Sequence, residues 1–286
     1  MKVISTVASL HSYLNEADNK KKTIGFVPTM GALHQGHLAL VKEASEKSDI
    51  VIVSIFVNPT QFNNPKDLER YPRDLQTDID ALETMCCDIV FAPDVKEIYP
   101  EKDERTFNFG TLETVMEGQF RPGHFNGVAQ VVSRFFDIIK PKRAFFGLKD
   151  FQQLAIIRAM VKQLELPIEI VACPTVREAD GLAMSSRNML LSETQRKNAP
   201  VIARSLSDSC NFVAKTTVEG IKKKVDQAIN TTEGLKIEYF EIVDGYSLQP
   251  VDNWDESDYI VGCIAVFTGE IRLIDNITYK NTDHEC

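Results

Sequence analysis

The stretch "TIGFVPTMGALHQGHLALVKEASEKS", residues 23–48, decides the fold. Its first residues, "TIGFV" (23–27), form a compact apolar run typical of a buried strand. From residue 37 onward, "HLALVKEASEKS" (37–48) has apolar residues three and four positions apart, as a helix with one buried face requires. The stretch therefore predicts a strand, a loop that holds His34, and a helix that begins at His37.

The same alternation of strand-like and helical patterns continues to residue 173. Further strand-like runs cover 49–57, 88–92, 143–147 and 168–172. Helical patterns lie between them at 74–85, 126–140 and 150–164. Strands that are apolar almost throughout, each followed by a helix, indicate a parallel sheet covered on both faces. The prediction is an α/β fold with a Rossmann-like, doubly wound parallel sheet.

The pattern changes after Cys173, where polar and turn-forming residues dominate "PTVREADGLAMSSRNMLLS" (174–192). Helical patterns follow near 192–214 and at 218–231, and three strand-like runs then cover 236–245, 259–269 and 270–277. Helices followed by strands joined through short turns are typical of a separate α+β unit. We therefore predict a larger domain over 1–174 and a smaller C-terminal α+β lid domain over 175–286, beginning with a hinge.

Composition limits the class of protein. The 286 residues carry 32 Lys and Arg against 41 Asp and Glu, and the net charge of −9 argues against a general nucleic-acid partner. The N-terminal "MKVISTVASLHSYL" lacks the apolar core of a signal peptide, and no apolar run is long enough to span a bilayer. The six cysteines show no C-x-x-C spacing. We expect a cytoplasmic protein without a membrane partner.

The loop after the first predicted strand is the candidate ligand site. In open parallel sheets, ligands bind beyond the carboxyl ends of the strands, where helix N-termini attract anions. Gly31 and Gly36 allow close approach of the backbone to a ligand, and the imidazoles of His34 and His37 can donate hydrogen bonds to phosphate oxygens. A tight turn with two solvated histidines and a zinc pair stay open as alternatives, although no third zinc ligand is evident locally.

Other polar groups follow later strands. In "FVNPTQF" (56–62), the neutral amides of Asn58 and Gln61 can orient a carboxylate without pairing with it as fixed charges, although Asn-Pro is also an ordinary turn. In "GLKDFQQL" (147–154), Lys149 can neutralise a phosphate and Gln153 can face the same pocket as Asp150; a capped helix with a solvated lysine is the alternative.

Three further motifs have weaker chemistry on their own. The segment "MSSRN" (184–188) offers hydroxyls and a guanidinium suited to phosphate, but Ser-Ser-Arg is also common in linkers. "RPGHFNGV" (121–128) could be a lid or an exposed turn. In "YPRDLQTD" (71–78), Asp78 could accompany magnesium or lie on a helix surface.

These motifs, taken together, carry a resemblance. The H-x-G-H pattern of 34–37 resembles the signature of the nucleotidyltransferase superfamily, and the longer "PTMGALHQGH" (28–37) with the five motifs above is similar to the pantothenate synthetase (pantoate–β-alanine ligase) family. The resemblance implies an ATP-dependent enzyme of pantothenate biosynthesis that condenses (R)-pantoate with β-alanine through a pantoyl adenylate, releasing AMP and pyrophosphate. It also implies Mg²⁺ with the ATP, and a homodimer formed through the larger domain.

The resemblance further implies a role for each matched residue. The residues implied in phosphate stabilisation and catalysis are His34, His37, Lys149, Ser185, Ser186 and Arg187. The implied ATP-binding set also contains Met30, Gly31, Ala32, Leu33, Gln35, Gly36, Gly147, Leu148, Asp150, Val176 and Met184. The implied substrate-binding residues are Asn58, Gln61, Arg121, His124 and Gln153, and the implied metal-associated residue is Asp78. Leu148 departs from the family pattern, in which a polar or charged residue is more usual.

Two other functional hypotheses remain at this point. Another enzyme of the nucleotidyltransferase type, which transfers AMP or CMP to a phosphorylated substrate, would also use H-x-G-H but would not need the glutamines of "NPTQF" and "KDFQQ". A non-catalytic nucleotide-binding module is the third class, and it would not need His37, Lys149 and Arg187 together.

Overall fold

The computed structural model describes residues 1–18, 21–63, 68–69 and 71–282. These residues form two compact units. The first unit comprises 1–109, 121–148 and 153–174, and the second comprises 110–120, 149–152 and the described chain from 175 onward. Two short segments from before residue 175 group with the second unit. The division into two domains at 174/175 therefore stays a prediction.

The first unit contains a six-stranded parallel sheet, so the predicted α/β fold with a doubly wound sheet is confirmed. Its strands are β1 (Lys2–Ile4), β2 (Ile24–Thr29), β3 (Ile50–Ile55), β4 (Ile89–Phe91), β5 (Arg143–Gly147) and β6 (Glu169–Cys173). They lie in the order β1-β4-β3-β2-β5-β6. The direction in which strands are added therefore reverses at β2, with β3 on one side and β5 on the other.

Helices cover both faces of this sheet. They are α1 (Val7–Asp18), α2 (Gln35–Lys47), α3 (Leu75–Glu83), α4 (Val95–Ile98), α6 (His124–Ile139) and α7 (Phe151–Gln163), the last beginning with two residues of the second unit. Successive residues of β2 point to opposite faces. Phe26 packs against Phe135 of α6, with ring centroids 5.5 Å apart, whereas Val27 lies in a core cluster with Val41 of α2.

The second unit is built on an antiparallel sheet of β7 (Leu235–Asp244), β8 (Tyr259–Thr268) and β9 (Ile271–Asn281). Its helices are α5 (Glu117–Phe120), α8 (Glu193–Asn198), α9 (Val201–Cys210) and α10 (Val218–Asn230). Apolar residues of α9 and α10, including Leu206 and Ile221, are buried with Ile242 and Ile264 of the sheet. The small α+β arrangement expected for the C-terminal part is present.

The structure differs from the sequence prediction in several local ways. Strand β1 and helices α1, α4 and α5 were not predicted; β1 has only three residues, and α4 and α5 have four each, too few to show a periodicity. The helical pattern near 192–214 is two helices rather than one, because Pro200 has no N–H to continue the first. Helix α2 begins at Gln35 rather than at His37, because the His34 side chain caps it. Within the described parts of the chain, no helix is both long and apolar enough to cross a membrane.

Candidate active site

The carboxyl end of β2 is the position at which an open sheet of this kind binds a ligand, because the strand order reverses there. The chain leaves β2 at Thr29 and turns through residues 30–34 before α2 begins. Gly31 and Ala32 of this turn have positive φ values of 80° and 50°. Residues other than glycine rarely adopt that backbone region, so Ala32 needs support from its surroundings.

Asp78 of α3 supplies that support. Its side chain accepts hydrogen bonds from the backbone N–H groups of Ala32 (3.0 Å) and Leu33 (2.7 Å). It is buried, with 3% of its surface exposed, and burial raises the pKa of its carboxyl although both backbone donors act in the opposite direction. A Cβ on Gly31 would come within 2.8 Å of Oδ2 of Asp78. The acid thus fixes the backbone of this loop; its magnesium role stays a prediction.

His34 and His37 are oriented by the first turn of α2. His34 is the N-cap residue, and its Nδ1 accepts from the backbone N–H of Gly36 (3.1 Å). Nδ1 of His37 accepts from the backbone N–H of His34 (3.3 Å), completing a capping box. A backbone N–H can only donate, so each ring nitrogen Nδ1 must be an acceptor and the ring proton lies on Nε2. The rings lie side by side, with centroids 4.1 Å apart, and each presents an Nε2–H donor suited to a phosphate oxygen.

A cluster of amides lies after β3. The short 3₁₀ helix Pro59–Gln61 begins at Asn58, whose side chain donates to Oε1 of Gln61 (3.1 Å) and to the carbonyl of Gly127 (3.0 Å). Nδ1 of His124 lies 2.9 Å from the carbonyl oxygen of Gln61. We call the side chains of Asn58 and Gln61 the amide cluster. Helix α6 approaches it closely because residue 127 is glycine; a Cβ there would meet the Thr60 carbonyl oxygen at 2.5 Å.

The amide cluster also contacts the histidine loop. Nε2 of Gln61 lies 3.0 Å from the sulfur of Met30, which directly follows β2. A thioether is a weak acceptor, so a carboxylate or hydroxyl oxygen would replace it readily. The predicted phosphate-binding loop and the predicted acid-binding amide are therefore neighbours in the first unit.

Lys149 belongs to the second unit, in the short 3₁₀ helix Leu148–Asp150 after β5. Its carbonyl accepts from Nδ2 of Asn276 on β9 (3.0 Å). The neighbouring Asp275 is buried and forms a two-point ion pair with Arg177, at 2.7 and 2.9 Å. The guanidinium of Arg177 also donates to the carbonyl of Gly181 (3.1 Å). Strand β9 thus holds the backbone of both the Lys149 segment and the loop that follows residue 175.

That loop ends in the predicted phosphate-binding serines. The Met184 N–H donates to the carbonyl of Val176 (3.0 Å). Ser185 then caps the 3₁₀ helix Ser186–Leu190 by accepting from the Arg187 N–H (3.3 Å). Asn188, part of the same motif, donates to Glu178 (2.9 Å) and to the Ala183 carbonyl (3.1 Å). These bonds give the serine and arginine loop a defined shape within the second unit.

The structure places the predicted residues in two groups. The first unit holds Met30, Gly31, Ala32, Leu33, His34, Gln35, Gly36, His37, Asn58, Gln61, Asp78, Arg121, His124, Gly147, Leu148 and Gln153. The second unit holds Lys149, Asp150, Val176, Met184, Ser185, Ser186 and Arg187. Their roles toward ligands stay predictions. No group of three or more His, Cys, Asp or Glu side chains placed to hold a metal occurs among the described residues.

Sequence reasoning missed several residues that shape this site. Gln152, next to the predicted Gln153, is buried and bonds the carbonyls of Leu112 (2.7 Å) and Val115 (2.9 Å). Nothing in the spacing of "KDFQQ" distinguishes its role from that of its neighbour. Tyr99 and Asn276 were missed as well, because each acts on a residue far away in the chain.

Comparison with known proteins relates the whole chain to one family. The family model described as pantoate-beta-alanine ligase matches residues 2–278. A pantothenate synthetase of Bacteroides fragilis (strain YCH46) is 55% identical over 282 residues, covering 99% of this chain and 100% of that protein. A pantothenate synthetase of Phocaeicola vulgatus is 56% identical over 281 residues, covering 98% and 100%.

Solved structures of this family share the fold. The crystal structure of pantothenate synthetase from Thermus thermophilus matches with a TM-score of 0.92 at 42% identity, over 98% of this chain and 100% of that one. The pantoate-beta-alanine ligase from Francisella tularensis, complexed with beta-gamma ATP and beta-alanine, matches with a TM-score of 0.82 at 37% identity, over 98% of each chain. The chain thus belongs to the pantoate–β-alanine ligase family.

Proposed function

We propose that this protein is an ATP-dependent ligase that condenses (R)-pantoate with β-alanine to give pantothenate, AMP and pyrophosphate. The family match over residues 2–278 supports this activity, and the Francisella relative was crystallised with beta-gamma ATP and beta-alanine. The observation that carries the proposal is the pair of imidazole Nε2–H donors at the carboxyl end of β2, with the Gln61 amide 3.0 Å from Met30 of the same loop.

In the first half-reaction, the pantoate carboxylate attacks the α-phosphorus of ATP, and the bond from that phosphorus to the oxygen bridging the β-phosphate breaks, releasing pyrophosphate. A free carboxylate is a poor acyl donor, and adenylation makes AMP its leaving group. Neutral amides suit this step, because Gln61 and Gln153 orient the acid by hydrogen bonds while leaving it nucleophilic. Asn58 lies behind Gln61, and Arg121 and His124 complete the proposed substrate-binding set. No covalent protein nucleophile is required, since positioning and charge stabilisation supply the rate.

Residues of several motifs are proposed to bind the phosphates. We assign His34 and His37 as hydrogen-bond donors to phosphate oxygens, assisted by the N-terminal end of α2, on which the positive end of the helix dipole falls. The motif residues Lys149, Ser185, Ser186 and Arg187 stabilise the charge that develops on pyrophosphate as it leaves. The remaining ATP contacts come from 30–36, 147–150, Val176 and Met184.

In the second half-reaction, the neutral amine of β-alanine attacks the carbonyl carbon of the pantoyl adenylate. The new amide bond forms as the carbon–oxygen bond to AMP breaks, and the amine nitrogen releases a proton to solvent. The products leave as pantothenate and AMP.

Magnesium would enter with ATP and would neutralise part of the phosphate charge. This ion is usually held by one or two carboxylates, substrate phosphates and water. The described residues fit that pattern, because Asp78 is a single carboxylate beside the histidine loop, and each of its oxygens keeps one lone pair after accepting a backbone N–H.

Two further proposals concern the assembly and the location of the protein. We propose a homodimer formed through the larger domain, as the resemblance implies, and light scattering of the purified protein tests it. A cytoplasmic location is consistent with the five described cysteines, all of which are free thiols.

One assay tests the reaction. Purified protein is mixed with Mg-ATP, (R)-pantoate and β-alanine, and AMP is followed while each acid is omitted in turn. AMP formation that needs both acids supports the ligase. Pyrophosphate exchange with a different acceptor would select another nucleotidyltransferase-type enzyme, and ATP binding without turnover would select a non-catalytic module.

A further inference from the structure

Asn58 is the centre of a buried hydrogen-bond network in the first unit. Only 1% of its surface is exposed. Its Nδ2 donates to the Gly127 carbonyl (3.0 Å) and to Oε1 of Gln61 (3.1 Å). Its Oδ1 accepts from the backbone N–H of Thr60 (3.4 Å), the Thr60 hydroxyl (3.1 Å) and the Tyr99 hydroxyl (3.0 Å). The Asn58 amide therefore forms its hydrogen bonds with protein groups, unlike the amide of a residue that contacts substrate.

The chemistry of the backbone sets which way the Asn58 amide points. The Gly127 carbonyl can only accept, so the atom facing it must be the –NH₂ group. The Thr60 backbone N–H can only donate, so the atom facing it must be the oxygen. If the Asn58 amide were flipped, its oxygen would face the Gly127 carbonyl oxygen and its –NH₂ group would face the Thr60 N–H. This orientation is therefore determined before any ligand binds.

The orientation of the Asn58 amide also determines the orientation of the Gln61 amide. The second hydrogen of the Asn58 –NH₂ group points to the Gln61 amide, so the Gln61 atom that it meets must be the acceptor Oε1. The Gln61 –NH₂ group is then on the opposite side, where it contacts the sulfur of Met30. Gln61 thus presents a donor beside the histidine loop, and a donor selects ligands with an acceptor oxygen, such as a carboxylate or a hydroxyl.

Tyr99 also contributes to the orientation of the Asn58 amide. It follows α4 and is half-buried; its ring packs near Phe56, with centroids 6.3 Å apart, and the Arg134 guanidinium lies 5.3 Å from its centroid. Because Oδ1 of Asn58 can only accept, the Tyr99 hydroxyl must donate to it. The ring contacts limit where that hydroxyl can go.

We propose that Tyr99 and Asn58 are positioning residues that hold the Gln61 amide with its –NH₂ group toward the acid substrate. The proposal rests on the proposed function, because it assigns pantoate as the acid that Gln61 receives. Neither residue needs to touch the substrate; Asn58 sets the direction of Gln61, and the Tyr99 hydroxyl holds Asn58.

The first test is Tyr99→Phe, which removes the hydroxyl and keeps the ring. Kinetics are measured with (R)-pantoate and ATP varied separately. We expect the KM for pantoate to rise about fivefold to tenfold, as the loss of one partly buried hydrogen bond predicts, while the KM for ATP stays within about twofold. Thr60→Val, which removes the other hydroxyl from Oδ1 of Asn58, should act in the same direction with a smaller rise.

The control is Tyr13→Phe. It makes the same chemical change in helix α1, where the tyrosine ring lies under the Lys2 ammonium, and it should leave both KM values unchanged. A second control makes the Tyr99→Phe change in a Gln61→Ala background. If Tyr99 acts through Gln61, the hydroxyl loses its influence on kcat/KM for pantoate there.

The outcomes separate this proposal from the proposed function. If the parent protein forms no AMP from pantoate, the proposed function fails. If the parent is active but Tyr99→Phe leaves the pantoate KM unchanged, raises both KM values equally, or has the same effect in the Gln61→Ala background, the positioning role is overturned. A lower Tm with unchanged kinetics would likewise overturn it, since that result assigns Tyr99 to stability alone.

Discussion

The two units differ in the interactions that hold the surroundings of their candidate residues. In the first unit, hydrogen bonds to backbone groups orient His34, His37 and Asn58, and one buried acid braces the loop. In the second unit, hydrogen bonds also shape the loops of Lys149 and Ser185. Ion pairs join its separate segments: Arg177 binds Asp275, Arg196 binds Glu178 and Asp180, and Arg272 binds Glu117 and Glu238.

This difference has a physical meaning. A hydrogen bond to a backbone N–H or carbonyl is directional and tells a ring or amide which atom to present, which suits groups that must aim at a substrate. An arginine can bind two carboxylates at once, which suits joining segments that are far apart in the chain. Glu117 and Arg272 are 155 residues apart, and their pair holds the 110–120 segment in the second unit. The hydrogen bonds described in the first unit thus set the orientation of its candidate side chains, and the ion pairs of the second unit hold together segments that are distant in the chain.

The comparison is sharpened most by His37→Ala. We expect the single-turnover rate of adenylate formation to fall about 100-fold or more, because a donor to the reacting phosphates is lost. The free energy of unfolding should fall by only about 1 kcal/mol, through loss of the capping box. His37→Gln is the matched variant, because glutamine can restore the cap without the imidazole. Equal rates for His37→Ala and the parent would contradict the assignment.

Asp78→Ala should have the next largest effect. Removing the acid leaves the Ala32 and Leu33 N–H groups without their acceptor, so we expect a loss of about 2 kcal/mol in the free energy of unfolding. The loop would lose its fixed geometry, and kcat/KM should fall about tenfold to 100-fold. Urea unfolding and steady-state kinetics measure both. If the Mg²⁺ concentration for half-maximal rate also rises, the result supports the proposed magnesium role of Asp78; if it stays unchanged, Asp78 acts on the loop backbone alone.

In the second unit, Asn276→Ala removes the donor to the Lys149 carbonyl while leaving the Lys149 side chain intact. We expect a smaller change than for His37, with the KM for ATP raised about threefold to fivefold and the KM for pantoate unchanged. Asn276→Asp is the informative partner, because a carboxylate cannot donate to a carbonyl and should reproduce the loss. A larger effect on pantoate than on ATP would show that β9 does not act through Lys149.

The smallest effect is expected at an ion cluster of the first unit. This cluster is an exception to the hydrogen bonds described above for that unit. Asp103 pairs with Arg105 and Arg134, and these hydrogen bonds hold the pKa of its carboxyl well below its usual range. A lowered folded pKa stabilises the protein above the unfolded value of about 4 and loses that effect as the pH falls below it. Asp103→Asn should therefore lower the free energy of unfolding by about 1 kcal/mol at pH 7. The difference in unfolding free energy between the variant and the parent should narrow as the pH is lowered through about 4. A gap that widens on acidification would refute the assignment.

Much of the fold could be predicted because its signals are local. The strand at 143–147 was predicted with its observed bounds, and the periodicity of 37–48 located the body of α2. The start of α2 could not be predicted, since it depends on His34 accepting the Gly36 N–H. The candidate loop was found because it directly follows the first predicted strand.

What the sequence by itself determined is the alternation of strands and helices, the change of architecture after residue 173 and the motifs that relate the chain to its family. These follow from apolar spacing and short-range turn chemistry, which neighbouring residues carry between them. Only the tertiary structure decided that Asp78 braces Ala32, 46 residues away, and that Tyr99 reaches Asn58, 41 residues away. A hydrogen bond needs its partners within about 3 Å, and strand order and helix packing bring these distant residues that close.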